Sequence, residues 1–261
     1  MELISVTKLN RIDDSLYAIR PYFAALEELL QGLLKGVERT FSPYLSNPKA
    51  AKKGKALCLI TSDNGLCGLY NHNIIRKAEE FVQNQKGSET ELIVVGKSGY
   101  NYFKRTAHKI TASFIGFNAR YSEKTAQEIT DTLVKLFLSG QVSEVFVLYT
   151  HYQNGLIYRP TLKKFLSLAP AAGRPFEYLF EPSQDRIIEE LIPRYVFMSM
   201  KLMLIESFTS EHAARAVAMK TATDNAKELL ENLVLLRNKV RQAGITQDIM
   251  EIISSAEALK G

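Results

Sequence analysis

Residues 194–260 read RYVFMSMKLMLIESFTSEHAARAVAMKTATDNAKELLENLVLLRNKVRQAGITQDIMEIISSAEALK, a run with no proline and a single glycine, Gly244. Because proline and glycine are the residues that most often end helices, this run predicts one almost unbroken helix. Pro193 suits its first turn, where the donor that proline lacks would have had no partner. Such a helix is about 100 Å long, whereas a compact chain of this size is about 45–50 Å across. We therefore expect much of the helix to protrude or to enter a partner.

The other end of the chain carries a second helical pattern. Its apolar residues recur in alternating steps of three and four, at Leu9, Ile12, Leu16, Ile19, Phe23, Leu26, Leu30 and Leu33. This is the heptad spacing of a coiled coil. Pro21 predicts a kink near Arg20, because proline removes a backbone donor and crowds the preceding turn.

The long run repeats the heptad spacing, at Met219, Ala222, Ala226, Leu229, Leu233, Leu236, Val240 and Ala243. One apolar stripe of this helix can therefore face the first helix. We expect residues 1–45 and 183–261 to form an antiparallel two-helix coiled coil. That pairing requires the chain between the two helices to form a domain inserted at one end of the helix pair.

The middle of the chain changes period. The segment 56–61, ALCLIT, is a short apolar run typical of a strand buried on both faces, which predicts a parallel sheet. The predicted strands are 56–61, 91–95, 109–114, 142–150 and 161–168, and the predicted helices are 71–85, 99–105 and 123–138. This alternation predicts an α/β domain over residues 54–170, Rossmann-like and with about five strands.

Composition narrows the functional classes. A chain of 261 residues with 46% apolar and 23% charged residues is typical of a globular protein, and no stretch is apolar enough to suggest a signal peptide or membrane span. Two cysteines, Cys58 and Cys67, are too few to staple a fold and fit a reducing compartment. The four histidines have no ligand-like spacing, so we expect no metal site and no cofactor.

Positive charge is unevenly distributed along the chain, whose formal net charge is +5. Lysines cluster at 49, 52, 53 and 55, and residues 92–122 contain five Lys or Arg and no acid, so an acidic partner is plausible. Tyr100, Tyr102 and Phe103 lie among these charges and would suit stacking on nucleic acid, but they equally fit one face of a helix. We favour the helix and expect no nucleic acid.

Two enzymatic hypotheses start from the loop after the first strand. Gly65 and Gly68 could place backbone donors against a phosphate at a helix start, although no complete phosphate-binding motif is present. Cys67 could be a reactive thiol whose pKa the helix dipole lowers, with Asp63 as its base. The plainer interpretation is that Asp63 caps the following turn and Cys67 packs. We expect neither stable nucleotide binding nor catalysis.

Three stretches resemble the gamma subunit of F-type ATP synthases, in that family's order. The strongest is SEHAARAVAMKTATDNA at 210–226, continued by NKVRQAGITQDIMEI at 238–252. SDNGLCGLYN at 62–71 resembles the loop after the family's first strand, although Asn64 and Leu69 stand where an arginine and a glycine are expected. MELISVTKL at 1–9 resembles the first helix from a point several turns inside it, so the front of the shaft is expected to be missing.

The resemblance implies a central rotor shaft, itself non-catalytic, that transmits torque between a membrane rotor ring and a catalytic ring during proton-driven ATP synthesis or ATP hydrolysis. The implied partners are the catalytic alpha and beta subunits, an epsilon-type companion subunit and the rotor ring. It implies a peripheral position at the cytoplasmic face of a bacterial inner membrane, or at the organellar equivalent. The alternative is a rotor-derived structural or regulatory coiled-coil adaptor.

The resemblance also implies two sets of contact residues. Arg241 and Gln242 match a polar pair that touches loops of the catalytic subunits in the family. Tyr178, Phe180 and Glu181 match, more loosely, a region that faces the rotor ring or the companion subunit.

Overall fold

The first helix follows the predicted heptad. The structure, a computed structural model, describes residues 2–35, 42–45, 54–85, 90–106, 108–168, 181 and 183–259. Helix α1 spans Glu2–Leu33. Its buried apolar residues are Leu16, Phe23, Leu26, Leu30 and Leu33, none more than 7% exposed. These are heptad positions, so the stripe read from the sequence is the face that packs.

Pro21 lies inside α1, and the helix continues through it to Leu33. Proline cannot donate to the carbonyl of Tyr17, four residues earlier, so one backbone hydrogen bond is lost. Tyr17 and Pro21 are both exposed, which leaves that carbonyl accessible to water. The predicted kink stays a prediction.

A five-stranded sheet occupies the middle of the chain, as the sequence predicts. Its strands are β1 (Lys55–Ile60), β2 (Thr90–Val95), β3 (Ile110–Phe114), β4 (Glu144–Tyr152) and β5 (Tyr158–Leu166), in the order β3-β2-β1-β4-β5. The helices between them are α2 (Tyr70–Asn84), α3 (Lys97–Phe103) and α4 (Glu123–Leu138). Each element lies within a few residues of its predicted position.

The expectation of a wholly parallel sheet is wrong at β5. Strands β1 to β4 pair in parallel, but β5 pairs antiparallel with β4, with Tyr152 opposite Tyr158. The link between β4 and β5 is residues 153–157, and a parallel return needs a crossover of about a dozen residues or more. An apolar strand pattern carries no direction, so only the link length could have predicted the hairpin.

Both faces of the sheet are covered. In β1, Ala56, Cys58 and Ile60 pack in the cluster that includes residues of α1 and α4, whereas Leu57 and Leu59 pack in the cluster that includes residues of α2 and α3. Successive side chains of a strand point to opposite faces, which explains the alternation. A strand covered on both sides has to be apolar throughout, as the sequence of β1 is.

The last helix, α5, spans Gln184–Ala258 as one continuous element of 75 residues. The prediction that Pro193 lies in its first turn is wrong, because the helix begins well before it and Pro193 is interior. Pro193 is exposed, so the carbonyl that loses its donor is on the side open to water. Solvation of that carbonyl lowers the cost of the proline and lets the helix continue.

The first part of helix α5, over residues 184–205, runs antiparallel to α1, as predicted. Near the start of α5, Gln184 Nε2 donates to Leu33 O at the end of α1, at 2.9 Å. Further along α5, Ile205 shares a buried cluster with Leu16, in the middle of α1. Residues further along α5 therefore contact residues nearer the start of α1.

A cluster of polar and aromatic side chains joins strand β5 to this helix pair. Lys163 Nζ lies 3.3 Å from Glu27 Oε1 and 5.2 Å from the centre of the Phe23 ring. Tyr195 Oη donates to the same Glu27 oxygen at 2.9 Å, and the Tyr195 ring stacks on Phe23 with centroids 5.4 Å apart. One cluster therefore joins α1, α5 and the edge of the sheet.

The chain divides into two units, residues 1–217 and 218–261. The first holds α1, the sheet, α2 to α4 and the first part of α5. In the second, no residue from 218 to 259 is buried, and the described part is helical. The domain boundaries expected from the sequence, 1–45, 54–170 and 183–261, stay predictions.

Candidate functional site

Residues 203–214 of α5 are all buried, although this part of the helix carries many polar side chains. The buried polar residues are Glu206, Ser207, Thr209, Ser210, Glu211 and His212. A helix buried on all sides is usually apolar all round, and polar groups taken out of water need partners within the protein. We call residues 203–214 the buried segment.

Glu206 is costly to bury, because it is a carboxylate only 3% exposed. Its Oε1 accepts from Arg20 Nη2 at 2.8 Å and from Arg20 Nε at 3.2 Å. Its Oε2 accepts from His151 Nδ1 at 2.7 Å. Arg20 Nη2 also donates to the carbonyl of Tyr152. The carboxylate thus joins the middle of α1, the end of β4 and α5.

The hydroxyl groups of the buried segment bind the end of strand β4. Thr150 N donates to Ser207 Oγ at 3.3 Å, and Ser210 Oγ donates to Thr150 O at 3.3 Å. Tyr70 Oη, from the first turn of α2, donates to Ser207 O at 3.1 Å. Helix α5 therefore forms hydrogen bonds with the backbone at the carboxyl end of β4. In open α/β sheets, ligands commonly bind at this end of the strands.

The next turn of α5 holds the loop after β1. Arg215 donates from Nε to Gly65 O at 3.2 Å and from Nη2 to Asn64 O at 3.1 Å. Arg215 Nη2 also contacts Glu211 Oε1 at 2.6 Å, and Glu211 is 1% exposed. The structure thus brings together the two motif stretches, 62–71 and 210–226, that lie far apart in the sequence.

Burial raises the pKa of Glu211 to about 7, although the adjacent Arg215 acts to lower it. Burial also lowers the pKa of the neighbouring His212 to about 4. The His212 ring is therefore neutral at physiological pH, with Nε2 donating to Ala119 O at 3.3 Å.

Asp63, which follows the end of β1, binds the start of α3 and the loop after β3. Its carboxylate accepts from the backbone N–H groups of Lys97, Gly116 and Asn118, at 3.0, 3.1 and 2.8 Å. The prediction that Asp63 caps the turn following it is therefore wrong, since the cap serves the start of α3 and the loop after β3. Sequence proximity favoured the local turn, but the parallel sheet places these loops at the same edge.

The hypothesis that a helix dipole lowers the pKa of Cys67 is also wrong. Cys67 is 2% exposed, and burial raises its pKa against the opposing effects of Ser62 and Arg215. A buried thiol with a raised pKa carries little thiolate at neutral pH. The expectation that Cys67 packs is confirmed, because it lies in a cluster with Tyr70 and Ala214.

The hypothesis of a phosphate site at Gly65 and Gly68 stays a hypothesis. The carbonyl oxygens of Asn64 and Gly65 point to the Arg215 guanidinium, and Asn71 Oδ1 accepts the backbone N–H of Ser62. A phosphate cradle needs free N–H donors, whereas the contacts described at this loop engage its carbonyls.

The aromatic residues considered for nucleic-acid stacking are engaged within the fold. Phe103 is fully buried, Tyr102 Oη donates to Glu79 at 2.6 Å, and Lys104 Nζ lies 5.6 Å from the Tyr100 ring centre. The helix interpretation of this segment is confirmed by α3. Of the predicted basic cluster, residues 49, 52 and 53 lie outside the described residues.

The residues expected to contact other subunits are described only in part. Arg241 and Gln242 are exposed in α5, in the second unit, and Glu181 is exposed. Tyr178 and Phe180 lie outside the described residues. Sequence reasoning missed the roles of Glu206 and Arg20. One signal was present, since an acid within the apolar run 202–208 is typical of a buried ion pair.

Comparison with known proteins shows which family this chain resembles. A family model described as ATP synthase matches residues 1–259. The chain is 36% identical over 269 residues to the ATP synthase gamma chain of Syntrophobacter fumaroxidans, covering 100% of this chain and 92% of that protein. It is 37% identical to that of Roseiflexus castenholzii, covering 99% and 91%.

Solved structures show the same fold. A chain in the Tetrahymena thermophila mitochondrial ATP synthase, central stalk and c-ring, superposes with a TM-score of 0.65 and 21% identity, covering 85% of this chain and 97% of that one. A chain of the Euglena gracilis mitochondrial enzyme gives 0.63 and 15%, covering 99% and 94%. Within the described residues no helix is long and apolar enough for a membrane span, and no cluster of histidine, cysteine and acidic side chains suits a metal.

The buried ion pair leads to a test on stability. Arg20→Met should leave Glu206 without its main partner and lower the free energy of unfolding by about 3 kcal/mol. The double variant Arg20→Met/Glu206→Leu should recover much of that loss, because no buried charge remains. Guanidinium unfolding followed by circular dichroism measures both. Arg11→Met, on the exposed side of the same helix, should change stability by less than about 0.5 kcal/mol; equal losses in Arg11 and Arg20 variants would contradict the ion pair.

Glu211 leads to a second test, on pH dependence. Its pKa is raised in the folded state, so the folded chain binds more protons than the unfolded chain between about pH 4.5 and 7. The contribution of Glu211 to stability is therefore present at low pH and lost as the pH rises through about 7. Glu211→Gln should remove this slope, on the order of 1–3 kcal/mol across the window.

The measurement is the difference in unfolding free energy between Glu211→Gln and the unmodified chain from pH 4.5 to 8. The exposed Glu228→Gln is the control and should run parallel to the unmodified chain. A constant difference between Glu211→Gln and the unmodified chain would show that the carboxylate stays ionised throughout.

Proposed function

The chain belongs to the family of ATP synthase gamma chains and is a central rotor subunit of that complex, and we propose that it works as a non-catalytic torque shaft between a membrane rotor ring and a catalytic ring. The observation that carries this proposal is the composition of the exposed part of α5. The exposed large apolar residues of the second unit are Leu229, Leu230, Leu233, Val234, Leu235, Leu236, Val240, Ile245, Ile249, Met250, Ile252, Ile253 and Leu259.

These apolar residues surround the helix. With 3.6 residues per turn, Leu229, Leu233 and Leu236 share one face, whereas Leu235 lies well away from it. A single partner helix covers one stripe only, and a helix that is apolar all round is normally enclosed. The second unit is therefore suited to being enclosed on all sides by several partner subunits, which we propose to be the catalytic alpha and beta subunits.

The first unit suits the transfer of force between sheet and helix. Ionic and hydrogen-bonded contacts from α1, α2, β4 and the loop after β1 reach the buried segment and Arg215, as described above. A buried and fully engaged helix cannot slide or rotate against its surroundings without breaking these contacts. Torque applied to the sheet domain would thus pass into α5.

We further propose that Arg241 and Gln242 contact the catalytic subunits. Both side chains are exposed on a helix whose surroundings are rich in exposed apolar residues. Arg241 can offer a planar fork of donors to a carboxylate, and Gln242 can donate and accept, which suits a contact that breaks and reforms during rotation.

We also propose that Tyr178, Phe180 and Glu181 contact the rotor ring or an epsilon-type companion subunit, at the cytoplasmic face of a bacterial inner membrane or its organellar equivalent. This proposal rests on the family and on the position of the segment just before α5. Photo-cross-linking from residue 178 in the assembled complex tests it. Cross-links to catalytic subunits, in place of ring or companion subunits, would count against it.

Copurification distinguishes the rotor from a rotor-derived adaptor. A tagged chain purified from its native membranes should carry the catalytic alpha and beta subunits in constant ratio. Recovery with unrelated partners alone would favour the adaptor.

The proposed lack of catalysis leads to a direct prediction. The isolated chain should neither hydrolyse ATP nor bind it with micromolar affinity, because the sequence has no complete phosphate motif. Isothermal titration calorimetry with ATP measures this. A micromolar dissociation constant that maps to residues 63–71 would overturn it.

The catalytic-ring contact leads to a prediction on coupling. Arg241→Ala with Gln242→Ala should weaken assembly or ATPase coupling about tenfold or more, since charge-assisted hydrogen bonds contribute about 1.5–3 kcal/mol each. The melting temperature of the isolated chain should stay nearly unchanged, because both side chains are exposed. Arg105→Ala, an exposed arginine next to α3, is the control. Unaltered assembly and turnover would refute the contact, and a large loss of monomer stability would assign the pair to the shaft itself.

A further inference from the structure

Two asparagines of the chain are followed directly by glycine, Asn64 and Asn154. In such a pair the backbone nitrogen of the glycine can attack the side-chain amide carbon of the asparagine, because glycine has no side chain to obstruct the approach. The asparagine then loses ammonia and becomes aspartate or isoaspartate. Both pairs lie in described loops, and their surroundings decide which of them is open to this reaction.

Asn154 begins the tight turn that joins β4 to β5. Ile157 N donates to Asn154 O at 3.2 Å, and Gln153 N and Asn154 N both donate to Ile157 O, at 3.0 and 3.2 Å. The turn is open to solvent, and Leu156 at its tip is 82% exposed. Among the described residues, the N–H of Gly155 has no hydrogen-bond acceptor. The nitrogen that would attack is therefore free.

The amide oxygen of Asn154 accepts two backbone N–H groups, from Leu156 at 3.0 Å and from Ile157 at 2.9 Å. These donors polarise the amide carbonyl and make its carbon more electrophilic. When the nitrogen of Gly155 attacks, negative charge develops on this same oxygen, and both donors already point to it. The turn therefore favours the attack.

Asn64 is engaged differently, and its surroundings oppose the reaction. Its Nδ2, the group that would have to leave, donates to Asn118 Oδ1 at 3.1 Å. Its backbone carbonyl accepts from Ser62 Oγ at 2.7 Å and from Arg215 Nη2 at 3.1 Å. The peptide group that contains this carbonyl also contains Gly65 N, and it is planar. Rotation of that nitrogen toward the side chain would therefore break both bonds.

We propose that Asn154 is a site of spontaneous deamidation and that the fold protects Asn64 from the same reaction. Gly155 N gives up its proton and forms a bond to Asn154 Cγ, the Cγ–Nδ2 bond breaks, and the amide group leaves as ammonia with that proton. Water then opens the resulting succinimide ring. Opening at Cγ leaves aspartate, and opening at the backbone carbonyl carbon leaves isoaspartate. One water is consumed, one ammonia is released, and no oxidant is needed.

The modification changes the hairpin in charge and in length. A neutral amide becomes a carboxylate beside the exposed side chain of Leu156. Isoaspartate also adds a carbon to the backbone, inside a turn that Asn154 and Ile157 close and next to the pairing of Tyr152 with Tyr158. The inference does not depend on the rotor function, because it uses only residues of this hairpin and of the loop after β1.

The test is incubation of the folded full chain at mildly alkaline pH, followed by peptide mass spectrometry with fragmentation that separates asparagine, aspartate and isoaspartate. Asn154 should convert at least about tenfold faster than Asn64, because only at Asn154 is the attacking nitrogen free to reach its target. In guanidinium the two sites should react at similar rates, because both are then Asn-Gly pairs in an unfolded chain.

Gly155→Ala and Gly65→Ala are a matched pair of variants. A Cβ at Gly155 would meet only Tyr152 Oη, at 3.9 Å, and a Cβ at Gly65 would meet nothing within 4 Å. Neither glycine has a φ in the left-handed region, so both variants should fold. Gly155→Ala should slow the conversion of Asn154 about tenfold, because the methyl group obstructs the attacking nitrogen. Gly65→Ala should leave that rate unchanged.

Three results would overturn the proposal. The first is equal conversion of Asn64 and Asn154 in the folded chain. The second is an unmodified Asn154 in the folded chain under conditions in which the unfolded chain reacts, which would mean that the turn protects it. The third is an unchanged rate in Gly155→Ala, which would mean that the product does not arise through attack by the nitrogen of residue 155.

Discussion

The carboxylate of Glu206 has to be neutralised inside the protein, and the contacts among α1, β4 and α5 at their crossing meet that requirement. A carboxylate 3% exposed would be strongly destabilising without partners. Arg20 and His151 supply three hydrogen bonds to it, and Arg20 reaches the backbone of β4 as well. The crossing of α1 over α5 is thereby fixed in register, because a shift of either helix by one turn would separate the charges.

Around this point the carboxyl ends of β1 and β4 are contacted by side chains of the protein's own last helix. In many open α/β sheets, the carboxyl ends of the strands receive a ligand. Here the hydroxyl groups of α5 bind the end of β4, and Arg215 binds the carbonyls of the loop after β1. Asp63 takes three backbone donors that an anion could otherwise occupy. These contacts hold α5 against the carboxyl ends of the strands.

In the first unit polar side chains of α5 are buried, and in the second unit large apolar side chains are exposed. This difference fits a rotor subunit. The buried segment is polar yet enclosed, so its side chains are committed to partners within the chain. None of the described residues from 218 onward is buried, and many of the exposed ones are large and apolar, a composition that suits contact with partners outside the chain. Torque transfer needs both properties, because one end has to be locked to the body of the subunit and the other has to bear against something else.

The sequence by itself determined the elements of this protein: the heptads of the first and last helices, the five strands, and the family to which the motif stretches point. These are local signals, since a helix stripe or an apolar strand is written in neighbouring residues. Only the tertiary structure decided the direction of β5, the helical start at Gln184 ahead of Pro193, and the partners of Asp63, Glu206 and Arg215. Apart from Glu211, which lies four residues before Arg215, those partners lie 34 to 186 residues away in the chain. Their contacts depend on how sheet edges and helix faces meet in space, which no local pattern specifies.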